Sequence, residues 1–181
     1  MMNKLTQLLF VTCTLAITVS NTFAAVVNYK GVEVNEYKSK LVFGINEQFK
    51  GSPQDLINIK WLTYAMYSEA RSDGVQGMLM VLNVVHNRIE DKRFPDTVKS
   101  VILQHKQFSA FNKSIIPDVT LDNSKEKKLL LEAVKRAYNY VMYGKFVRMT
   151  YGTHYHTVHV KPKWASHTTY LGKIGQHIVY K

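Results

Sequence analysis

The stretch SPQDLINIKWLTYAMYSEARSDGVQGMLMVLNVVHNRIE, residues 52–90, decides the fold because it contains the patterns of two consecutive helices. Ser52 is suited to cap a helix, Pro53 fits the first helical position, and Asp55 stands three residues after the cap. The first helix is therefore predicted from this cap to about residue 71. Its apolar residues recur at intervals of three and four, which is the spacing of one helix face. That face contains Ile59, Leu62, Ala65, Met66 and Glu69.

Three further helices are predicted downstream of the first. The next spans about 74–90, with Asp73 and Gln76 as its capping pair. A short helix is expected at about 97–104, after the Phe94-Pro95 break. A polar loop follows, and a third long helix runs from residue 123 or 124 to Gly144, a residue type that commonly ends helices.

The two flanks of the helical region carry strand patterns. Residues 25–51 alternate loosely between apolar and polar, which fits either short strands or an irregular arm. Residues 153–160 also alternate, and residues 167–180 are typical of a hairpin that turns near 172–176. Helices followed by a small antiparallel sheet at the C-terminal end indicate an α+β domain.

The composition places the chain among globular proteins of one domain. It has 181 residues, of which 46% are hydrophobic and 20% are charged. No apolar run in the body of the chain approaches the roughly 20 residues that span a bilayer. The single cysteine excludes a disulfide framework and a cysteine-based zinc site. The formal charge of +11 is compatible with anionic cell-wall polymers, membrane surfaces or nucleic acid, or with a merely solvated surface.

Residues 1–24 are typical of a secretory signal peptide. Lys4 supplies the positive start, residues 8–19 form a short apolar stretch, and Thr22-Phe23-Ala24 offers small residues at the two positions that signal peptidase reads. A lipoprotein interpretation through Cys13 fits poorly, because the residues before it are Val11 and Thr12. The expected division is a signal peptide at 1–24, an N-terminal arm or short strands at 25–51, and the main folded domain at 52–181. The mature protein is expected to be exported to the periplasm, cell wall or extracellular space, without a membrane segment.

Glu69 is the most informative residue for chemistry. It lies on the apolar face of the first helix and near the helix C-terminus, and both placements disfavour the ionised carboxylate. A carboxyl that keeps its proton near neutral pH is what general acid catalysis requires. The alternative is a surface glutamate paired with Arg71 or Lys60, and the periodicity leaves the two interpretations equal.

Other polar and aromatic residues have both structural and functional interpretations. Asp73 is a possible second carboxylate, but its position favours a helix cap. Asn83 and Asn87 are expected to brace a neighbouring loop through hydrogen bonds. A metal site on the histidines of residues 154–159 is possible but disfavoured. Aromatic side chains beside polar residues are suited to stacking on sugars, or simply pack in the core; these are Tyr67, Phe108, Tyr155 and Trp164.

An ordered set of short motifs over about residues 60–181 resembles the catalytic domain of the SleB-type cell wall hydrolases, which include the spore cortex-lytic enzymes. The motifs are Tyr67-Ser68-Glu69-Ala70-Arg71, Gly77, Val84-Val85-His86-Asn87-Arg88, Phe94-Pro95, Gln107-Phe108-Ser109, Gly152-Thr153-His154-Tyr155-His156, Pro162-Lys163-Trp164-Ala165 and Ile174-Gly175-Gln176-His177. The sequence departs from the family at Ser72 and Asp73, where Gly-Glu is usual, and at Ala110, where an aromatic residue often follows.

The resemblance implies a lysozyme-like helical core and cleavage of the β-1,4 bond between N-acetylmuramic acid and N-acetylglucosamine in peptidoglycan, as a lytic transglycosylase. It maps the catalytic acid onto Glu69 and implies no cofactor or metal. The residues expected to contact the glycan are Tyr67, Gln107, Ser109, His154, Tyr155 and Trp164.

Three alternatives remain open at the level of sequence. The first is a non-catalytic module that binds or assembles peptidoglycan on the same fold. The second is a secreted metal-dependent hydrolase that uses His154, His156 and His159. The third, nucleic-acid binding, is disfavoured because no domain signature supports it. The oligomeric state is not predicted.

Overall fold

The computed structural model describes residues 26–111, 119, 121 and 123–181. The predicted signal peptide at residues 1–24 lies outside the described residues, as does the segment 112–118 of the predicted polar loop. Within the described ranges, no helix is both long enough and apolar enough to cross a membrane.

The helices begin and end close to the predicted residues because their caps are encoded locally. They are α1 (Pro53–Ala70), α2 (Gly74–Glu90), α3 (Val98–Ile102) and α4 (Ser124–Tyr143), with 3₁₀ turns at Arg71–Asp73, Ser109–Phe111 and Lys163–His167. Ser52 and Asp55 form a reciprocal capping box at the start of α1. Asn123 caps α4, and Gly144 ends it with a φ of 63°, which suits glycine.

Helix α1 is the centre of the core. From Leu62 to Tyr67 six consecutive side chains are buried, so this part of the helix is covered on more than the single face that its spacing predicted. Helices α2, α3 and α4 all pack against α1. A helix segment that is buried all round requires such neighbours, because no side of it can be left to solvent.

An antiparallel sheet of three strands forms the N-terminal part of the described chain. Its strands are β1 (Val27–Tyr29), β2 (Val32–Tyr37) and β3 (Lys40–Ile45), paired in chain order. The Tyr64 hydroxyl of α1 donates to the Leu41 carbonyl at 2.6 Å, and the Tyr29 and Tyr138 rings meet edge to face at 5.4 Å. The described part of the predicted segment 25–51, residues 26–51, therefore contains short strands docked on α1 and α4, rather than an irregular arm.

A second antiparallel sheet of three strands forms the C-terminus and confirms the predicted hairpin. Its strands are β4 (His154–Thr157), β5 (Tyr170–Ile174) and β6 (His177–Tyr180), in the order β4-β6-β5. The hairpin turns at Gly175, whose φ is 57°. Along the sequence, the helices lie between two small sheets, which is an α+β arrangement. The fold class prediction named one sheet, at the C-terminal end, and the structure has a second one at the N-terminal side.

Candidate active site

The Glu69 carboxyl lies in the last turn of α1 and accepts hydrogen bonds from three residues on two other segments. The Ser109 hydroxyl lies 3.1 and 3.3 Å from its two oxygens, and the Ala110 N–H donates to Oε1 at 2.8 Å. The Tyr155 hydroxyl donates to Oε2 at 3.2 Å. Glu69 is half-buried. These partners, and not Arg71 or Lys60, surround the carboxyl, so the surface ion pair that the sequence left open is not what the structure shows.

The donor types around Glu69 suit a carboxyl that changes its protonation state. The Ala110 N–H can only donate, and it fixes one carboxyl oxygen as an acceptor. The hydroxyls of Ser109 and Tyr155 can donate to a carboxylate or rotate to accept from a carboxylic acid. These three residues together hold the carboxyl in place at the end of α1.

Tyr155 is a neutral hydrogen-bond donor at this site. Burial, reinforced by the negative charge of Glu69, raises the pKa of Tyr155 well above its ordinary value. Its ring contacts that of Phe108 at 6.2 Å and that of His177 at 5.2 Å, both near edge to face. These two ring contacts, together with the hydrogen bond to Glu69, fix the position of the Tyr155 side chain.

Asp73 does not cap α2, which corrects the sequence prediction. Its side chain makes no cap hydrogen bond and instead accepts from the Gln176 N–H at 2.8 Å and from His177 Nδ1 at 2.9 Å. The Asp73 and His177 side chains are each 4% exposed. Gly175 is required at the adjacent turn, because a Cβ there would lie 2.6 Å from Asp73 Oδ2. The carboxylate thus fastens the β5–β6 hairpin to the junction of α1 and α2.

The Asp73–His177 pair reaches Glu69 through Tyr155. His177 packs edge to face on the Tyr155 ring, and the Tyr155 hydroxyl binds Glu69. The Asp73 side chain is almost fully buried, and its carboxyl accepts hydrogen bonds from Gln176 and His177. It is therefore a positioning residue, which acts on the candidate acid through two intervening side chains.

Asn83 and Asn87 brace the segment that leads into β4, as the sequence predicted. Asn83 donates to the Val147 carbonyl at 2.9 Å and accepts from the Met149 N–H at 2.9 Å. Asn87 donates to the carbonyls of Thr150 at 3.1 Å and Gly152 at 2.8 Å. Both side chains are buried, so the backbone of this segment has its polar groups satisfied by α2.

We expect Asn87→Ala to destabilise the fold by about 1–3 kcal/mol, because the Thr150 and Gly152 carbonyls would lose their donor in a buried place. The free energy of unfolding in urea measures the effect. Asn58→Ala, on the more exposed surface of α1, is the matched control. Equal destabilisation by the two substitutions would contradict the bracing role.

Arg88 is a buried cation beside the site whose role the sequence did not indicate. Its guanidinium lies between the rings of Phe94 and Phe108, at 5.1 and 5.2 Å, and its Nε donates to the Thr153 carbonyl at 2.7 Å. Burial lowers the pKa of Arg88 to about 10, so the guanidinium stays charged at neutral pH. Arg88 thus links Phe108, which packs on Tyr155, to the backbone next to β4.

The remaining predicted contact residues do not all gather at Glu69. Gln107 is half-buried, two residues before Ser109. Tyr67 is 1% exposed and its ring packs in the core, so it offers no surface for a sugar here. His154 lies on the opposite face of β4 from Tyr155, because adjacent residues of a strand point to opposite faces. Trp164 packs 5.5 Å from the His154 ring on that same opposite face.

The histidines of the C-terminal region are not arranged as a metal site. His156 Nδ1 contacts the Thr157 carbonyl at 2.8 Å and its Nε2 contacts the Tyr180 hydroxyl at 3.1 Å, so both ring nitrogens are occupied. His159 lies in an exposed turn. In the part of the chain that the structure describes, no three His, Cys, Asp or Glu side chains are grouped so that they could hold a metal ion.

A surface cavity of about 740 Å³ lies among the four helices, away from Glu69. Its lining includes His86, Glu90 and Asp96, but not Glu69 or any residue that binds Glu69. Cavity size therefore does not identify the candidate site. The site is placed at Glu69 because a half-buried carboxyl bound by three donors is a stronger indication of chemistry than an open hollow.

The fold is that of an α+β domain with a candidate catalytic carboxyl at the end of its central helix. Comparisons with known proteins identify the family. The family model described as Cell Wall Hydrolase matches residues 72–180. The protein belongs to this cell wall hydrolase family, as the motifs indicated. The match begins three residues after Glu69.

Individual relatives agree with the family. A spore cortex-lytic enzyme of Oceanobacillus iheyensis is 32% identical over 78 residues, which are 42% of this chain and 27% of that protein. The chain thus aligns with about a quarter of the length of this relative.

Two solved structures are similar over most of the chain. The catalytic domain of the germination-specific lytic transglycosylase SleB from Bacillus anthracis has a TM-score of 0.52 and 26% identity, covering 74% of this chain and 99% of that one. The catalytic domain of the Bacillus cereus SleB protein has the same TM-score, identity and coverage of this chain, with 94% of its own length covered. These similarities confirm the predicted fold class and the SleB-type resemblance.

Proposed function

We propose that this protein cleaves the β-1,4 bond between N-acetylmuramic acid and N-acetylglucosamine in peptidoglycan, as a lytic transglycosylase with Glu69 as its general acid and base. The observation that carries the proposal is the Glu69 carboxyl, held by Ser109, Ala110 and Tyr155 at the end of α1. The family and the transglycosylase named among the structural relatives support the same reaction.

One carboxyl performs both proton transfers in this mechanism. The Glu69 carboxylic acid protonates the glycosidic oxygen, the bond from that oxygen to the muramoyl anomeric carbon breaks, and the N-acetylglucosamine hydroxyl leaves. The Glu69 carboxylate then takes the proton of the muramoyl 6-hydroxyl while the oxygen of this hydroxyl bonds to the anomeric carbon. The product is a 1,6-anhydro sugar, and Glu69 is again protonated, so no water is consumed.

This scheme needs no second carboxylate, and Asp73 is not available to serve as one. Most glycosidases use two carboxyl groups, about 5–5.5 Å or about 6.5–9.5 Å apart. Asp73 is the nearest acid in sequence, but it is buried and occupied by Gln176 and His177. An intramolecular nucleophile replaces the water or the second carboxylate that other glycosidases require.

Digestion of purified sacculi followed by mass analysis of the released muropeptides tests the proposal. Products lighter by one water than reducing muropeptides support the transglycosylase reaction. Reducing products would keep Glu69 as the acid but overturn the intramolecular step. Failure to release any product would favour the non-catalytic binding module, and inhibition by a chelator would favour the metal-dependent hydrolase.

We expect Tyr155→Phe to lower kcat on sacculi by about tenfold or more, because a hydrogen bond to an ionised carboxyl contributes about 1.5–3 kcal/mol. The ring stays, so its packing on Phe108 and His177 is preserved. The measurement is the rate of muropeptide release. Tyr140→Phe, which removes a hydroxyl bound to His86 on α2, is the control. A normal rate in Tyr155→Phe would show that its hydroxyl does not assist Glu69.

Cleavage of peptidoglycan requires that the protein be exported, and a basic protein surface suits an anionic cell wall. We propose that residues 1–24 direct export, that residues 52–181 form the catalytic domain, and that the protein acts outside the cytoplasm. The formal charge of +11 becomes +10 when residues 1–24, which include Lys4, are removed, and this positive charge favours association with an anionic wall. Secretion of a reporter fused to residues 1–24, with cleavage after Ala24, tests the first part.

A further inference from the structure

The C-terminal sheet has an outer face that is separate from the Glu69 site. Residues directly paired across strands project to the same side of a sheet. The pairing therefore defines two rows on the outer face, which together with Trp164 form the surface called here the outer aromatic face. The rows are His154, Tyr180 and Tyr170, then His156, Ile178 and Lys173.

The opposite, inner face of the sheet belongs to the core and to the candidate active site. It carries Tyr155, Val179 and His177, of which Val179 is 1% exposed and His177 is 3% exposed. Tyr155 binds Glu69 from this side. The two faces of one sheet are thus assigned to different surroundings, and the outer one is not required to complete the core.

The outer aromatic face is a continuous group of rings that is exposed at Tyr170 and Trp164 and half-buried at His154, His156 and Tyr180. The His156 ring stacks on Tyr180 at 5.3 Å, and Trp164 meets Tyr180 edge to face at 5.4 Å. Tyr170 meets Tyr180 at 5.9 Å. Tyr170 is 62% exposed and Trp164 is 36% exposed. Aromatic rings displayed in this way present apolar surface to a ligand.

The charges around the outer aromatic face are mostly positive, and Asp91, the carboxylate that acts on His154, is paired with Arg93. From residue 133 to the C-terminus the sequence contains eight Lys and Arg and no Asp or Glu. Lys173 lies on the outer aromatic face itself, and Lys163 is adjacent to Trp164 in the chain. Sugar rings stack their C–H faces on aromatic side chains, and carboxylates pair with lysine ammonium groups. The complementary ligand is a glycan that carries carboxylates.

We propose that the outer aromatic face binds an uncut peptidoglycan strand and anchors the protein on the wall, while Glu69, on the other side of the same sheet, acts on a second strand. This inference rests on the proposed function for the identity of the glycan. It assigns His154 and Trp164, which do not face Glu69, to the anchoring surface.

Co-sedimentation with purified sacculi tests the anchor, with Glu69→Gln as the background so that no strand is cut. Tyr170→Ala combined with Lys173→Gln is expected to weaken binding by about tenfold, equivalent to about 1.4 kcal/mol. The matched control is Tyr37→Ala with Lys38→Gln on the N-terminal sheet, where Tyr37 is also 62% exposed. Equal binding of the two double variants would overturn the proposal.

Turnover measurements separate the anchor from the active site. With Glu69 intact, Tyr170→Ala and Lys173→Gln are expected to slow the digestion of sacculi and to leave the cleavage of a short soluble glycan unchanged. An equal loss on both substrates would overturn the anchor and place these residues in the cleft. One outcome separates the two proposals: the unaltered protein cuts neither substrate, yet the double variant binds sacculi more weakly than the unaltered protein does. In that case the proposed function fails and the anchor stands.

A second copy of this chain is the competing occupant of the outer aromatic face. Analytical ultracentrifugation at increasing protein concentration distinguishes it from a glycan. The expected result is no change in the association state between the unaltered protein and the Tyr170→Ala, Lys173→Gln variant. Self-association that the variant abolishes would overturn the proposal.

Discussion

Glu69→Gln is expected to lower the rate of sacculus digestion by about 10³-fold, which is within the range that general acid–base catalysis contributes. The amide cannot protonate the glycosidic oxygen or accept the proton of the 6-hydroxyl. The fold should be unaffected, because a glutamine oxygen still accepts from the Ala110 N–H, while the hydroxyls of Ser109 and Tyr155 can accept from its amide group.

The effect is measured as the initial rate of muropeptide release, with the free energy of unfolding as a check on the fold. Glu90→Gln is the matched control, because Glu90 is an exposed glutamate at the end of α2. It should digest sacculi at the normal rate. Retention of a tenth or more of the activity by Glu69→Gln would remove this residue from the mechanism.

Asp73→Ala is expected to reduce the free energy of unfolding by about 3 kcal/mol, at the upper end of the cost of leaving a buried hydrogen-bonding group without its partner. Two donors, the Gln176 N–H and the buried His177 Nδ1, would lose their acceptor. The β5–β6 hairpin would also lose its attachment to the α1–α2 junction. Urea unfolding measures the loss, and the rate on sacculi should fall as well because Tyr155 packs on His177.

Glu132→Gln is the control for this substitution. Glu132 pairs with Lys135 and Arg136 on the surface of α4, where such pairs contribute about 0–1 kcal/mol. A similar loss of stability in both variants would contradict the view that burial makes the Asp73 pair important. A stable Asp73→Ala protein with full activity would show that the hairpin is held by its other contacts.

The pattern of helices was predictable because its signals are local. The capping box of Ser52 and Asp55, the Asn123 cap and the terminal Gly144 each act within a few residues of the helix end that they define. The same holds for the bracing amides. Asn83 and Asn87 are polar residues on an apolar helix, and such residues require partners wherever they are buried.

The importance of Glu69 was predictable, whereas its partners, which decide between an inward acid and a surface ion pair, were not. Helical periodicity placed the residue on the apolar face of α1 near its end. The Ala110 N–H is a backbone group, so its role cannot be predicted from the residue type. Ser109 and Tyr155 are 40 and 86 residues away from Glu69 in the chain. Asp73 was misassigned because a cap and a long-range acceptor look alike in sequence. Its true partner, His177, is 104 residues away.

The sequence by itself determined where the helices begin and end and that residues 167–180 form a strand hairpin, and it singled out Glu69 on α1 without deciding between an inward acid and a surface ion pair. These features depend on hydrogen bonds and side-chain spacing within a few residues. Only the tertiary structure decided that Tyr155 faces Glu69 while His154 and Trp164 face outward, and that Asp73 anchors the hairpin. The physical reason is that strand register and helix packing, which are set by contacts between distant residues, choose the side to which each side chain points.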